Sequence, residues 1–219
     1  MPGVTSPRSQ QPHKPRVLYI TSRGHSGSTL LSLLTSGHSQ VVSAGELKML
    51  TNPDPERRLC SCHRLVPEQC PFWGAVQKRV LAAVGRPLDQ LVLSDNGDDS
   101  SFLAGNEALL TSITAVSGAA LIVDSSKSLP RLSRLLAAEA QGAAFTLHPV
   151  HLHRGPFGSM NSARKKGDQL RQAAYNYTRL FFLSRELLQG STALLIYYEQ
   201  LASNPRAEMA RVMDWLQLP

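Results

Sequence analysis

The segment VLYITSRGHSGSTLL, residues 17–31, constrains the fold more than any other part of the chain. Its apolar start, residues 17–21, predicts a buried strand, and a loop of Gly and Ser residues and an apolar helix follow it. Gly24 and Gly27 allow the backbone to turn tightly and to approach a ligand. Backbone N–H groups and the positive end of the helix dipole then form a site for an anion. The segment therefore predicts a strand–loop–helix unit that binds phosphate.

The rest of the chain alternates between strand-like and helix-like apolar patterns, which is typical of an α/β fold with a mainly parallel central sheet flanked by helices. At 219 residues the chain is long enough for one well-buried domain and too short for two ordinary ones. Further strands are predicted at residues 41–42, 120–123, 150–153 and 193–197, and helices at 130–140, 168–188 and 206–216. Between about residues 51 and 110 we expect an irregular, partly helical insert that covers the site.

The first fifteen residues are rich in Pro, Ser and Gln, so we expect residues 1–15 to form a disordered tail ahead of the domain at 16–219. They contain no apolar segment typical of a secretory signal. No run in the sequence approaches the 18 or more apolar residues that a membrane span requires. We therefore expect a cytoplasmic protein without a membrane span.

The net charge of +7 is unevenly placed. No acidic residue precedes Glu46, and a second stretch without acids, residues 140–167, carries three His, two Arg and two Lys. Two basic segments far apart in sequence can converge on one polyanion. A generally basic surface or a nucleic-acid binder would show the same composition, so charge alone does not choose between them.

Three cysteines lie together at Cys60, Cys62 and Cys70, with His63 beside them. Three thiols and an imidazole are zinc ligands, but this spacing is not one of the standard zinc patterns and no second pair is present. The spacing therefore favours free thiols or one local disulfide, and no metal ligands are predicted.

The loop is not a Walker A sequence, because no Lys precedes Ser28 or Thr29. SRGHSGSTLL instead resembles the 5′-phosphosulfate-binding loop of sulfotransferases that use 3′-phosphoadenosine 5′-phosphosulfate (PAPS). His25 stands where relatives carry Lys or Arg, which puts its charge near neutral pH in question. The resemblance assigns donor binding in this loop to Arg23, Gly24, His25, Ser26, Gly27, Ser28 and Thr29.

Three further segments resemble the same family, in its order. SAGEL is similar to the Gly-Glu that follows the loop helix in carbohydrate-type and tyrosylprotein sulfotransferases, which makes Glu46 the general base. CSCHRLVPEQCPFW is similar to a Cys-rich stretch of bacterial-type members. VDSSKSLPR resembles the segment that carries a lysine near the sulfuryl group, here Lys127. Glu46, Lys127 and His25 are thus the predicted catalytic residues.

VHLHRGPFGSMNSARKKG resembles the motif that binds the donor's 3′-phosphate. Arg154 and Ser162 keep its eight-residue interval, and Lys166 matches a basic ligand of some relatives. The usual Arg-Asp-Pro is Arg-Gly-Pro here, with Gly155 in place of the acid. YYEQLASNP is similar to a Tyr-Glu-Asp/Gln-Leu segment, which makes Tyr198 a nucleotide contact.

The resemblance runs from residue 17 to residue 219 and implies a P-loop-like sulfotransferase fold. It implies PAPS as co-substrate, no required metal, and a small-molecule, carbohydrate or peptide acceptor that offers a hydroxyl or amine. A nucleic-acid partner is not expected, and the oligomeric state is open. Relatives continue past the last helix into a basic loop that closes over the nucleotide, and this closing loop is absent from the sequence.

Two other function classes compete with this one. Asp124 ends a buried apolar strand, as a Mg²⁺-binding acid does in ATP-dependent small-molecule kinases. A basic module that binds a polyanion without catalysis is the other alternative, and it would need no Glu46.

Overall fold

A five-stranded parallel sheet forms the centre of the computed structural model, which describes residues 14–219. The strands lie in the order β2-β3-β1-β4-β5, and each neighbouring pair is parallel. Their bounds are β1 Arg16–Thr21, β2 Val41–Ser43, β3 Leu121–Asp124, β4 Thr146–His153 and β5 Leu194–Tyr197. The predicted parallel α/β fold is confirmed. The predicted tail, apart from residues 14 and 15, lies outside the described residues.

Helices cover both faces of the sheet. They are α1 Ser28–Ser36, α2 Pro71–Val84, α3 Asp99–Ser117, α4 Leu129–Ala140, α5 Pro156–Lys165, α6 Leu170–Leu187, α7 Tyr198–Ser203 and α8 Pro205–Leu216. Because side chains alternate along a strand, β1 supplies two cores. Val17 and Tyr19 pack with α2, α3 and α4, whereas Leu18 and Ile20 pack with α1, α7 and α8. Among the described residues, no helix combines the length and apolarity that crossing a membrane requires.

Two helices, α2 and α3, occupy much of the region predicted to be an irregular insert. The acidic segment SDNGDDSS, residues 94–101, is rich in residues typical of turns, yet it contains the N-terminal cap of α3, where Asp98 accepts a hydrogen bond from the Ser101 N–H at 2.8 Å. Asp and Ser favour turns and helix caps for the same reason, since their side chains accept hydrogen bonds from nearby backbone N–H groups. The sequence pattern therefore did not separate a turn from a helix start.

Candidate active site

The predicted site residues lie at the carboxyl ends of the five strands. The loop 22–27 follows β1, Glu46 follows β2, Lys127 follows β3, Arg154 follows β4 and Tyr198 follows β5. From β1 the chain runs to β2 at one edge of the sheet, returns to β3 between those two strands, and then crosses to β4 and β5 on the other side of β1. In open parallel sheets, ligands bind at the strand ends where the direction of winding changes. Segments distant in sequence thus converge where such a fold binds its ligand.

The loop after β1 leads directly into α1 and leaves the first turn of that helix open. Gly27 is the N-cap residue, with a left-handed φ of 92°, and no side chain caps the helix. The first turn contains no acidic residue. Ser26 and Ser28 are buried, whereas Thr29 is exposed. Since the first N–H groups of a helix have no partner within the helix, this turn offers donors and a positive dipole to an anion.

The ring of Tyr198 packs against the loop. A Cβ atom placed on Gly27 would lie 2.3 Å from Cδ2 of Tyr198, so only glycine fits there. On the same ring lies the guanidinium of Arg154, with Cζ 4.3 Å from the ring centroid, a cation–π distance. The predicted nucleotide contact at Tyr198 therefore contacts two other predicted donor-binding residues.

Arg154 is anchored to the loop at one end and has an unused donor at the other. Its Nη1 donates to the carbonyl oxygen of His25 at 2.9 Å. Its Nε is buried without a hydrogen-bond partner among the described residues. A carboxylate lies beside this segment despite the missing Asp, because Glu199 accepts from the Gly155 N–H at 2.9 Å. Buried N–H groups without a partner are rare, so the hydrogen-bonding capacity of this guanidinium is not filled by the described residues.

The other residues predicted to bind the donor make few contacts with neighbouring segments. Arg23 Nη1 is 3.5 Å from the carbonyl oxygen of Ser159. Ser162 is half-buried within α5, and Lys166 is exposed at the end of that helix. Partial burial, and then the charges of Lys166 and Arg23, lower the pKa of His25 below its ordinary value of 6.5. His25 is therefore mainly neutral at pH 7 and does not replace the cation that relatives carry at this position.

Glu46 and Lys127, the other two predicted catalytic residues, form an ion pair with each other. The Nζ of Lys48 lies 3.9 Å from the second carboxylate oxygen of Glu46. The side chain of Glu46 is 35% exposed, and that of Lys127 is 18% exposed. A positive φ of 59° at Lys127 accompanies the turn that brings its side chain to the carboxylate. The structure thus places a carboxylate and an ammonium group in contact at the ends of β2 and β3.

A buried ion pair that the sequence analysis missed supports these two residues. Asp124 and Arg131 are fully buried, and Arg131 Nε donates to Asp124 Oδ2 at 3.1 Å. The other carboxylate oxygen accepts from the backbone N–H groups of Leu47 at 3.3 Å and Ser126 at 2.9 Å. Leu47 directly follows Glu46 in the chain, and Ser126 directly precedes Lys127. Asp124 therefore holds both segments, and both of its carboxylate oxygens are occupied by hydrogen bonds from described residues. The kinase alternative requires a carboxylate oxygen that is free to bind Mg²⁺.

A cleft of about 340 Å³ opens beside Glu46. Glu46, Arg57, Arg58, Cys60 and Trp73 are among the residues that line it. The Glu46 carboxylate therefore borders a cavity large enough for a small molecule.

Comparisons with known proteins bear on the fold. No protein-family model and no curated protein matches the chain. Among solved structures, the sulfotransferase domain of the Synechococcus PCC 7002 olefin synthase is similar, with 20% identity over 94% of this chain and 74% of that one, at a TM-score of 0.53.

Two further structures are similar. The sulfotransferase domain from the curacin biosynthetic pathway gives 19% identity, 94% and 75% coverage, and a TM-score of 0.55. A Mycobacterium avium sulfotransferase gives 16% identity, 95% and 65% coverage, and a TM-score of 0.50. The chain therefore has the α/β fold of sulfotransferase domains.

Proposed function

We propose that the chain is a sulfotransferase that moves the sulfuryl group of PAPS to an acceptor hydroxyl or amine. The observation that carries this proposal is the construction around Arg154. Its guanidinium is held by the His25 carbonyl and the Tyr198 ring, while its Nε has no partner among the described residues. The uncapped first turn of α1 lies on the other side of the same loop. Two anion sites joined in this way match a donor with two phosphate groups.

The donor would be held at both of its phosphates. The N–H groups and hydroxyls of residues 26–29 would bind the 5′-phosphosulfate. Arg154, with Ser162 and Lys166 on the helix that follows it, would bind the 3′-phosphate, with charge-assisted hydrogen bonds. Arg23 contributes charge near both. Because Tyr198 packs on Gly27 and Arg154, its role is to keep the two anion sites at a fixed separation.

Glu46 and Lys127 would perform the transfer. The acceptor's oxygen or nitrogen forms a bond to sulfur while Glu46 takes its proton. The bond from sulfur to the bridging oxygen breaks, and 3′,5′-phosphoadenosine leaves. Lys127, a neutral His25 N–H and the loop amides stabilise the charge on the sulfuryl oxygens and the leaving phosphate. The sulfuryl oxygens compete with Glu46 for Lys127, so that donor binding frees a carboxylate oxygen for the acceptor proton.

The cleft beside Glu46 is the proposed acceptor site. Glu46 is part of its lining, so an acceptor bound there would bring its hydroxyl or amine to the proposed base. Its arginines are already engaged, because Arg58 pairs with Asp89 at 2.9 Å and Arg57 with Asp54 at 3.4 Å. Small molecules, carbohydrates and peptides that carry a hydroxyl or amine are the proposed acceptors. We also propose a cytoplasmic location, on the basis of the sequence alone.

Calorimetry with 3′,5′-phosphoadenosine, ATP with Mg²⁺, and a DNA oligomer tests the proposal against its alternatives. We expect 3′,5′-phosphoadenosine to bind most tightly and without added metal. Arg154→Ala should weaken it by about 2 kcal/mol, roughly 30-fold, because charged hydrogen bonds to the 3′-phosphate are lost. Arg206→Ala, at the exposed start of α8, serves as a matched control.

Three results would contradict the proposal. Tighter binding of ATP with Mg²⁺ would support a kinase. Binding of DNA with steep salt dependence and no preference for the nucleotide would support a polyanion module. Equal affinity for PAPS and for adenosine 5′-phosphosulfate would remove the role of Arg154 in holding the 3′-phosphate.

A further inference from the structure

The three cysteine sulfur atoms come together in space, although their spacing in sequence is irregular. The Sγ atoms of Cys60, Cys62 and Cys70 all lie within 4.8 Å of one another, and those of Cys62 and Cys70 are 3.7 Å apart. Two thiolates bound to one tetrahedral zinc ion at about 2.3 Å lie about 3.8 Å apart. A disulfide would need about 2.05 Å between two of the sulfurs and would leave the third unused. The geometry is that of three ligands around one point.

A short backbone turn fixes two of these sulfurs. Leu59 and Leu65 form an antiparallel bridge at its base. Within it, the Cys60 N–H donates to the carbonyl of Arg64 at 3.0 Å, and the His63 N–H donates to the carbonyl of Cys60 at 2.9 Å. His63 has a left-handed φ of 61°, which completes the reversal of the chain. Cys60 and Cys62 therefore project from one tight turn.

The third sulfur comes from the start of a helix, where its negative charge would be stabilised. Cys70 is the N-cap residue of α2, whose first turn contains no acidic residue. Three thiolates around a divalent cation carry a net charge of −1, and the positive end of a helix dipole favours such a charge. Arg64 also lines the cavity that these sulfurs face.

That cavity also admits the ion and a fourth ligand. It has a volume of about 410 Å³ and is lined by all three cysteines. Cys62 is exposed, so the cluster is open to solvent on its side, whereas Cys60 is half-buried and Cys70 is buried. Within residues 14–219, no His, Asp or Glu joins the three sulfurs at the same distances. The fourth position of a tetrahedral ion would be filled from solvent.

We propose that Cys60, Cys62 and Cys70 bind one Zn²⁺ ion as thiolates, with the release of up to three protons on binding. Cys60 and Trp73 also line the cleft beside Glu46. The ion would therefore fasten the turn to α2 and fix one wall of the proposed acceptor site. It has no part in the donor loop, so sulfuryl transfer itself needs no metal. The spacing of the three cysteines in sequence favours free thiols or a disulfide. The fold nevertheless brings their sulfur atoms within 4.8 Å of one another, which is close enough to bind one ion.

The test measures zinc binding to the reduced full chain by competition with a chromophoric chelator, with native mass spectrometry for stoichiometry. We expect one Zn²⁺ per chain, and Co²⁺ should give sulfur-to-metal charge-transfer absorption. Loss of a hydrogen bond to a metal ligand typically weakens metal affinity by about 10–100-fold. Cys62→Ser removes a ligand itself, so it should weaken zinc affinity by about 100-fold or more. Ser133→Ala removes a hydroxyl that is exposed in α4 and does not line the cavity, so this variant should bind zinc as the parent does.

Circular dichroism shows whether Cys62→Ser keeps its fold, which the exposure of Cys62 favours. Co²⁺ titration of the parent is a second measurement that needs no variant. Three results would overturn the proposal: a reduced parent that binds no stoichiometric zinc, a Cys62→Ser variant with parental affinity, or a parent that forms a Cys62–Cys70 disulfide in preference to binding zinc. Neither donor nor acceptor is used, so failure of this proposal and failure of the sulfotransferase proposal are distinguishable.

Discussion

Asp124→Asn should destabilise the fold by about 3–5 kcal/mol, although Asn is nearly the same size as Asp. Arg131 is fully buried, and its Nη2 has no hydrogen-bond partner among the described residues. Asn removes the negative charge that balances this guanidinium. If its oxygen keeps the Leu47 and Ser126 N–H bonds, its NH₂ group faces the Nε donor of Arg131. Removing one partner of a buried ion pair costs about this much because the other charge is left uncompensated.

Urea unfolding followed by circular dichroism measures this effect. With a slope of about 2–3 kcal/mol per molar urea, the midpoint should fall by about 1–2.5 M. Asp99→Asn is a matched control, because Asp99 pairs with Arg134 at 2.7 Å while its side chain is 96% exposed. An exposed pair contributes at most about 1 kcal/mol, so this control should change the midpoint little.

A double variant keeps the test informative if Asp124→Asn does not fold. Asp124→Asn with Arg131→Met removes both charges and should recover part of the lost stability, because no buried charge is left unpaired. The reasoning would be refuted if Asp124→Asn and Asp99→Asn gave the same midpoint. It would also be refuted if Asp124→Asn kept parental stability and lost only binding of ATP with Mg²⁺, as a metal-ligand role predicts.

Three other predictions concern the loop, the base and a buried histidine. Gly27→Ala should weaken binding of 3′,5′-phosphoadenosine at least about 10-fold in calorimetry, because the added Cβ collides with the Tyr198 ring. Gly118→Ala is the control: Gly118 also has a positive φ, 68°, but no atom lies within 4 Å of the added Cβ, so nucleotide affinity should stay parental. Glu46→Gln should lower kcat by about 10²–10⁴-fold and change nucleotide affinity only a few-fold; parental turnover would place the base elsewhere. Burial lowers the pKa of His151 from 6.5 to about 4, so the folded state favours the neutral form of this side chain. The free energy of unfolding should therefore decrease as pH falls from 6.5 to about 4. His151→Gln should make the midpoint of urea unfolding less sensitive to pH between 6.5 and 4, and an unchanged pH profile would contradict this.

The strands and the loop could be predicted from sequence because their signals are local. An apolar run followed by Gly and Ser is visible within residues 17–31, and β2, β3 and β5 are short runs that are largely apolar. In contrast, β4 contains three histidines and begins four residues before the predicted 150–153. Local patterns do not specify which strands are neighbours. They also missed α3, whose buried face includes Gly105, Asn106 and Ser112 as well as apolar residues. A helix that buries small and polar side chains has a weak apolar periodicity.

Contacts between distant residues were also beyond prediction. Asp124 has the sequence context of a Mg²⁺ ligand, and only its contact with Arg131 shows that it is a buried support. Lys127 and Glu46 were each assigned by resemblance, yet their direct pairing depends on β2 and β3 being neighbours. The same holds for the three cysteines, whose sulfurs converge through a turn and a helix start.

The contact between Tyr198 and Gly27 has a consequence for biosynthesis. The two residues are 171 positions apart, and the ring closes against the loop only after β5 has joined the sheet edge beside β4. Domains are synthesised from the N-terminus, so a ribosome-bound chain that has emerged only to residue 190 contains the loop and Arg154 but not the ring that holds them. On the proposed function, nucleotide therefore does not assist the early stages of folding, and ligand-dependent stabilisation of a nascent chain should begin only when nearly all of the domain has emerged from the ribosome.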